Sequence, residues 1–237
     1  MTGVARTEAP PTRVGVVVPA AGSGRRMGGV PKPFLELAGE PLLLHALRPL
    51  LADPRVRSVV VVMGGDAAAD PPDWLTDMDA RVRIVAGGRT RAHSVRNGLG
   101  VIPADTHVVV VHDAARPLTE VRIVAACIDI ALGGEGAVAG CPAVDTIKEV
   151  DGRGHVISTP DRSRLWQAHT PQAFPAQVLR RAYAEDLEDA TDDASLVERL
   201  GIPVRMVDAG PGNLKVTRPG DLALAEAVLV GRRGSAP

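Results

Sequence analysis

Residues 14–33 read VGVVVPAAGSGRRMGGVPKP. The first five form a short valine-rich run, which is typical of a strand buried on both faces of a parallel sheet. A segment rich in glycine and arginine follows at once and ends in a lysine between two prolines. Open α/β sheets bind ligands at the carboxyl ends of their strands. The stretch therefore predicts an α/β protein with a ligand site directly after its first strand.

Similar valine-rich runs recur along the chain. They begin at Ser58, Val82 and His107, and the run from Val82 is the weakest. Segments with apolar residues at helical spacing lie between or after them, beginning at Pro41, Arg91 and Leu118. Thr119 is the expected N-cap of the third helix. This alternation predicts a Rossmann-like three-layer α/β sandwich with a mostly parallel sheet and right-handed crossovers.

The pattern changes at residues 144–159, which read VDTIKEVDGRGHVIST. Partial alternation of apolar and polar residues around Asp151 predicts a two-stranded hairpin. The hairpin has few bulky apolar residues, and an isolated hairpin is marginal in water. We therefore expect it to lie against another surface, such as a second subunit.

Regular elements are expected to continue to the end of the chain. Helices are predicted at 175–187 and 192–200, strands from Val204 and Asn213, and a last helix from Pro219. Neither an internal repeat nor a long linker divides the sequence. We therefore expect one α/β domain over residues 1–237, with a β-arm inserted at about 143–163.

Composition narrows the possible functions. The chain has 237 residues, a formal net charge of −1 and 45% hydrophobic residues, which argues against a nucleic-acid or anionic-membrane partner. Its two cysteines, Cys127 and Cys141, form no CxxC pair, so a reducing cytoplasm is expected. We also expect neither a signal peptide nor a membrane span.

The glycine-rich loop argues against a dinucleotide-binding fingerprint and excludes a P-loop. A dinucleotide fingerprint needs glycine at position 27, where Met27 stands, and a P-loop lysine is not flanked by prolines as Lys32 is. Gly22 and Gly24 allow the backbone to approach a ligand closely. The cations of Arg25, Arg26 and Lys32 suit a polyphosphate, and positioned cations stabilise the transition state of nucleotidyl transfer. The alternative is a surface turn with solvated arginines.

A second strand end carries Asp113 and Arg116 in the motif HDAARP. A carboxylate there can hold Mg²⁺ together with phosphate oxygens, and an arginine can bind the phosphate of an acceptor. The alternative is that Asp113 caps the next helix or pairs with Arg116. In a third turn, GGRTRAHSV, Gly88 and Ser94 can approach a base, although both are also ordinary at a helix start.

Taken in order, the motifs AAGSGRRMGGVPKPF, GGRTRAHSV, HDAARP, DTIK, LWQAHTPQAF, TDDASLVERLG and NLKVTRPGDLALAEA resemble one known family. The chain resembles the 2-C-methyl-D-erythritol 4-phosphate cytidylyltransferases of the non-mevalonate isoprenoid pathway, from about residue 14 to residue 229. The resemblance implies a homodimer whose β-arms embrace, with CTP and a polyol phosphate as substrates and Mg²⁺ or another divalent cation as cofactor.

The resemblance also implies roles for individual residues. Arg26 and Lys32 would stabilise the transition state around the CTP phosphates, and Asp113 would hold the metal. The nucleotide would be lined by Ala20, Ala21, Gly88, Ser94 and Ala114, in addition to Gly22 and Gly24 of the glycine-rich loop. The acceptor would be positioned by Arg116, Thr146, Arg162, Thr170 and Lys215, of which Arg162 and Lys215 also serve catalysis. Thr146 and Arg162 would serve the other subunit's site. Arg89 stands where some relatives carry an acidic residue, and either Arg25 or Arg26 can be the main phosphate contact.

The predicted reaction is a single in-line attack by an acceptor phosphate oxygen on the α-phosphorus of CTP. Two rivals remain open at this level. One is a cytidylyltransferase for another polyol phosphate, such as ribitol 5-phosphate. The other is a non-catalytic nucleotide-binding domain, against which the joint presence of Arg26, Lys32, Asp113 and Lys215 argues.

Overall fold

The computed structural model describes residues 12–22, 32–188 and 190–234. The strands are β1 (Val14–Pro19), β2 (Glu36–Leu37), β3 (Glu40–Pro41), β4 (Val56–Met63), β5 (Val82–Ala86), β6 (Val108–Val111), β7 (Gly136–Pro142), β8 (Glu149–Val150), β9 (Val156–Ser158), β10 (Trp166–Pro175) and β11 (Val204–Asp208). The helices are α1 (Leu42–Leu51), α2 (Gly65–Ala69), α3 (Asp73–Thr76), α4 (Arg91–Leu99), α5 (Val121–Leu132), α6 (Ala176–Ala182), α7 (Asp193–Glu198) and α8 (Pro219–Gly234).

Seven of these strands form one twisted sheet in the order β11-β7-β10-β6-β1-β4-β5. Every neighbouring pair is parallel except those of β10, which runs antiparallel to both β6 and β7. The predicted α/β fold with a mostly parallel sheet is thus confirmed. Within the described ranges, none of the helices combines the length and apolarity that crossing a bilayer requires.

Alternate residues of the central strands feed two apolar layers, one on each face of the sheet. In β1, Val16 and Val18 pack into the layer that contains residues of α1 and α5, whereas Val17 packs into the layer with residues of α4, α6 and α7. The strand is buried on both faces, which explains its unbroken run of valines.

The parallel pairing brings three strand ends to one edge of the sheet. β1 pairs with β4 on one side and with β6 on the other, and β4 pairs with β5. Backbone hydrogen bonds continue past the strand ends: Ala20 donates to Val62 (2.7 Å), Gly87 to Met63 (2.7 Å) and His112 to Val17 (3.0 Å). As a result, the turns that follow β1, β5 and β6 meet at the same edge.

Two strands of the sheet, β7 and β10, do not follow from the sequence patterns. β7 reads GAVAGCP and has neither bulky residues nor a clear alternation. It needs small residues because a Cβ atom on Gly140 would lie 2.6 Å from the carbonyl oxygen of Gln167 in β10 and 2.5 Å from Cε of Met206 in β11. Close approach of neighbouring strands therefore selects glycine here, and glycine is depleted in ordinary strands.

Three local predictions were wrong. Residues 213–217 are not a strand: the carbonyl of Asn213 accepts from the side chain of Arg116, and the Asn213 side chain donates to the carbonyl of Thr170 in β10, without the ladder of backbone pairs that a strand makes. Thr119 does not cap α5: Glu120 takes the N-cap position, and the Thr119 hydroxyl donates to Asn213 Oδ1 (2.8 Å). The helix expected at 175–187 is shorter and ends at Ala182.

The predicted hairpin is present as a separate antiparallel pair, β8 and β9. Several of its apolar side chains face solvent in the single chain. Those of Val150, Val156 and Ile157 are more than half exposed, as is Val144 just before it. An apolar surface of this kind is typical of a protein contact.

Candidate active site

A cavity of about 400 Å³ lies where the three turns meet. Its walls come from the turn after β1, the turn after β5, the turn after β6 and the loop that carries Lys215. The lining residues are Pro19, Ala20, Ala21, Gly22, Pro33, Gly88, Arg89, Thr90, Arg91, Ser94, Asp113, Ala114, Ala115 and Lys215. We call it the larger cavity, because a smaller one adjoins it. Its small residues and exposed backbone suit a ligand that is read through main-chain groups.

The turn after β5 is held by its own hydrogen bonds. Thr90 is the N-cap of α4, and its side chain accepts from the backbone N–H of His93. The Ser94 hydroxyl donates to the carbonyl of Thr90 (3.0 Å) and accepts from the N–H of Gly88 (3.1 Å). A Cβ atom on Gly88 would lie 2.5 Å from that of His93, so this position requires glycine. Ser94 therefore shapes the cavity wall through the backbone of Gly88.

Asp113 occupies the floor of the site at the end of β6. Its Oδ1 accepts from Arg91 Nε at 3.0 Å, and its Oδ2 lies 2.6 Å from Lys215 Nζ. Burial would raise the pKa of this carboxyl group, but the charges of Arg91 and Lys215 outweigh it and hold the pKa well below its ordinary value. Asp113 is thus an ionised carboxylate, and it neither caps α5 nor forms its ion pairs with Arg116.

Lys215 reaches Asp113 because its loop is fastened to the protein interior. The Asn213 side chain donates to the carbonyl of Thr170 (2.9 Å) and accepts from the Thr119 hydroxyl. The backbone N–H of Val216 donates to the carbonyl of Ala115 (2.8 Å). These bonds connect the loop directly to the turn after β6, and they carry the lysine to the carboxylate.

A second cavity of about 270 Å³ adjoins the first. We call it the smaller cavity. It shares Arg91, Asp113 and Lys215 with the larger cavity, and it is also lined by Arg116, Ala168, His169, Thr170, Gln172, Thr191 and Asp192. The three shared residues therefore form the junction at which two ligands would meet.

Buried polar groups fill the wall of the smaller cavity. Arg116 donates through Nη1 to the carbonyl of Asn213 (2.7 Å), while its buried Nε has no hydrogen-bond partner among the described residues. Burial lowers the pKa of Arg116, so an anion would favour its charged form. Thr170 Oγ1 accepts from the N–H of Asp113 at 2.9 Å. Burial lowers the pKa of His112 to about 4, so this ring is neutral at pH 7 and bridges Thr170 and the carbonyl of Arg116.

Arg91 is the principal residue of this site that the sequence analysis did not identify. Besides Asp113, it contacts the fully buried Asp193 through Nη2 (2.8 Å). The two contacts span 22 and 102 residues of sequence. Arg91 lies in the quoted motif GGRTRAHSV, but no local spacing indicates its partners.

The remaining predicted residues lie elsewhere. Thr146 and Arg162 are exposed on the hairpin and the turn after it, and they line neither cavity of the single chain. Gly24, Arg25 and Arg26 lie outside the described residues. Lys32 begins a 3₁₀ turn, Lys32–Phe34, whose Pro33 lines the larger cavity.

Comparison with known proteins gives a consistent result. The sequence model of the 2-C-methyl-D-erythritol 4-phosphate cytidylyltransferase family matches residues 14–231. A protein of that name from Syntrophus aciditrophicus is 42% identical over 94% of this chain and 98% of its own length. The Streptomyces coelicolor protein of the same name is 43% identical over 94% of this chain and 87% of its own.

Solved structures agree with these sequence matches. The crystal structure of 2-C-methyl-D-erythritol 4-phosphate cytidylyltransferase from Thermus thermophilus superposes with a TM-score of 0.76 at 33% identity, covering 92% of this chain and 98% of that one. A 4-diphosphocytidyl-2C-methyl-D-erythritol synthase from Anaerococcus prevotii superposes with a TM-score of 0.83 at 25% identity, over 93% and 97% of the two chains. The chain therefore belongs to the 2-C-methyl-D-erythritol 4-phosphate cytidylyltransferase family.

Proposed function

We propose that the two cavities form one active site, in which CTP occupies the larger and 2-C-methyl-D-erythritol 4-phosphate the smaller. Family membership establishes the overall reaction as CTP-dependent cytidylyl transfer in isoprenoid synthesis. The observation that carries the assignment of the site is the Asp113–Lys215 ion pair at the junction of the cavities. At that place the carboxylate of Asp113 can hold the divalent cation of the nucleoside triphosphate, and the ammonium group of Lys215 can bind the phosphate of the acceptor.

The nucleotide assignment rests on the chemistry of the larger cavity. Ala20, Ala21, Gly22, Gly88 and Ala114 expose backbone without bulky side chains, and Ser94 holds the backbone of Gly88 in place. Gly24 would extend this surface. Arg26, or Arg25 beside it, and Lys32 would neutralise the phosphates of CTP and the charge that builds up in the transition state.

A divalent cation is generally expected of a nucleotidyltransferase that uses CTP, and we assign it to Asp113. The described residues contain no group of three His, Cys, Asp or Glu side chains that could hold a metal alone. One ionised carboxylate beside a phosphate site fits Mg²⁺, which binds through one or two carboxylates plus phosphate oxygens. When bound, the metal would neutralise the triphosphate and polarise the α-phosphorus.

The acceptor assignment rests on the smaller cavity. Arg116, Thr170 and Lys215 converge on a volume suited to a phosphate group. Thr146 and Arg162 would complete the acceptor site from the partner subunit, because they project on the arm of residues 143–163. The exposed apolar residues of the arm support a homodimer formed through it. The two cysteines are free and buried, which fits the proposed cytoplasmic location.

The chemistry needs orientation more than proton transfer. A phosphate monoester is already anionic near neutral pH, so its oxygen can attack the α-phosphorus without a general base. The new P–O bond forms as the bond between the α-phosphorus and the bridging oxygen breaks, and pyrophosphate leaves with that electron pair. Lys215 and Arg162 would hold the attacking phosphate in line, while Arg26 and Lys32 would stabilise the transition state. The neutral, fully hydrogen-bonded His112 fits a site without a base.

Pyrophosphate release tests this proposal. We expect release with CTP and 2-C-methyl-D-erythritol 4-phosphate when Mg²⁺ is present, and far less in EDTA. Lys32→Ala and Lys215→Ala should each lower kcat by about 100- to 1,000-fold, the usual effect of removing a group that stabilises transition-state charge. Arg96→Gln, on the exposed face of α4, is the matched loss of one cation and should keep wild-type turnover.

Three results would contradict the proposal in different ways. Faster release with ribitol 5-phosphate would reassign the acceptor. No release with either acceptor would indicate a binding domain. Wild-type turnover in both lysine variants would remove these residues from the mechanism.

A further inference from the structure

We propose that Arg91 is a positioning residue for the reaction, which fixes the carboxylate of Asp113 by bridging it to the buried Asp193. The inference rests on the proposed function, because it takes Asp113 as the ligand of the divalent cation. Arg91 is thereby added to the residues of the site, although the sequence motifs gave it no role. The inference also gives a role to Asp193, which lies outside both cavities.

The geometry of Arg91 is that of a bridge. Arg91 is the first residue of α4, directly after the N-cap Thr90. Its Nε lies 3.0 Å from Asp113 Oδ1, and its Nη2 lies 2.8 Å from Asp193 Oδ2. The guanidinium group is planar and rigid, so two such contacts determine the orientation of both carboxylates relative to α4.

The far end of the bridge is fixed more firmly than the near end. Asp193 has no solvent exposure, and its Oδ1 accepts from the hydroxyl of Tyr183. Burial, followed by the neighbouring Asp193 charge, raises the pKa of Tyr183, so this hydroxyl stays a donor. The backbone around Asp193 is held as well, because Gln172 accepts from the N–H of Ala194 (3.0 Å) and donates to Asp192 (2.8 Å).

The near end needs this support during turnover. Asp113 has two ion-pair partners, and one of them, Lys215, is proposed to hold the acceptor phosphate. When Lys215 turns toward that phosphate, the contact with Arg91 keeps the carboxylate in place. Arg91 also lines both cavities. An arginine that served only an internal ion pair with Asp193 would not need to reach them.

A single substitution cannot separate this role from stability, because Arg91→Gln would leave the buried Asp193 charge without its cation. The double variant Arg91→Gln/Asp193→Asn removes both charges and places two amides where the ion pair stood. We expect its Tm to lie nearer the wild type than that of Arg91→Gln alone. Asp193→Asn by itself keeps the contact between Arg91 and Asp113 but removes the buried charge that anchors Arg91, so its kcat should lie between those of the wild type and the double variant. Arg96→Gln is the control for charge.

Two readouts test positioning in the double variant. The first is kcat, which should fall by about 10- to 100-fold, as is usual when a group that orients a metal ligand is lost. The second is the equilibrium affinity for α,β-methylene-CTP, measured by calorimetry with Mg²⁺ and in EDTA. The gain in affinity that Mg²⁺ produces should shrink by a similar factor, while the affinity in EDTA stays at the wild-type value.

Other results would refute either the role of Arg91 or the assignment of the metal to Asp113. Wild-type kcat and a wild-type effect of Mg²⁺ in the double variant would refute the role of Arg91. An equal loss of affinity with Mg²⁺ and in EDTA would refute it too, because Arg91 would then act on the nucleotide or on the cavity as a whole. Asp113→Asn serves as the reference: if it changes neither readout, the metal assignment itself fails and the role of Arg91 fails with it.

Discussion

Asn213→Ala should destabilise the protein by about 2–4 kcal/mol. Asn213 is almost fully buried, and its side chain makes two hydrogen bonds, one to the Thr170 carbonyl and one from the Thr119 hydroxyl. A buried hydrogen bond contributes about 1 kcal/mol net, and a partner left unsatisfied costs about 1–3 kcal/mol. The sum of two such losses, with partial relaxation, gives the expected range. Because Lys215 lies two residues further on, turnover should fall as well.

Urea unfolding measures this effect, compared at equal m-values. Asn97→Ala is the matched control, since Asn97 is exposed and makes a single hydrogen bond to the carbonyl of Ala86 (3.1 Å). We expect the control to stay within about 0.5 kcal/mol of the wild type, as is usual for surface positions. A loss below about 1 kcal/mol for Asn213→Ala, with unchanged turnover, would refute the reasoning that Asn213 fastens the loop of Lys215.

Three further predictions concern packing, pH and assembly. Gly98→Ala should cost about 1–3 kcal/mol in urea unfolding, because the new Cβ would lie 2.5 Å from Cγ1 of Val17. Burial, and then the charge of Arg116, lowers the pKa of His169 from 6.5 to about 4, so the unfolded chain binds a proton more readily than the folded one between those values. The free energy of unfolding therefore decreases as the pH falls from 6.5 toward 4. Urea unfolding at a series of pH values should show a smaller decrease for His169→Gln than for the wild type. An unchanged dependence on pH would contradict the burial of a neutral His169 ring. When the Arg162→Ala and Lys215→Ala proteins are unfolded, mixed in equal amounts and refolded, half of the dimers should contain one chain of each. Such a mixed dimer has one intact site of two, so the mixture should recover about a quarter of wild-type pyrophosphate release. No recovery would place Arg162 in its own subunit's site.

The sequence predicted the centre of the sheet because β1, β4 and β6 are buried on both faces and therefore read as unbroken apolar runs. It did not predict β7, since the close approach of β10 at Gly140 selects small residues that ordinary strands avoid. The run NLKVT alternates like a strand but is a loop. The bonds of Asn213 to Thr119 and Thr170, which decide its conformation, join residues 94 and 43 positions apart.

One part of the candidate site could likewise be predicted from the sequence, and another could not. The three turns at the ends of β1, β5 and β6 follow from local patterns plus the rule that parallel strands end at one edge. The ion pairs of Asp113 do not follow, because Arg91 begins α4 while Lys215 lies in the loop before α8, and no spacing in the sequence relates them. Long-range electrostatic partners of this kind are determined by the folded structure alone, and they are what joins the two cavities.

The most direct test of the active site is phosphorus NMR of wild type and Asp113→Asn with CTP, 2-C-methyl-D-erythritol 4-phosphate and Mg²⁺. We predict that the wild type forms a cytidine diphosphate ester of methylerythritol and pyrophosphate in equal amounts, and that Asp113→Asn slows both by about 100-fold or more, as expected for loss of a group that governs transition-state charge. Equal rates in the two proteins would contradict the assignment of the reaction to the junction of Asp113 and Lys215.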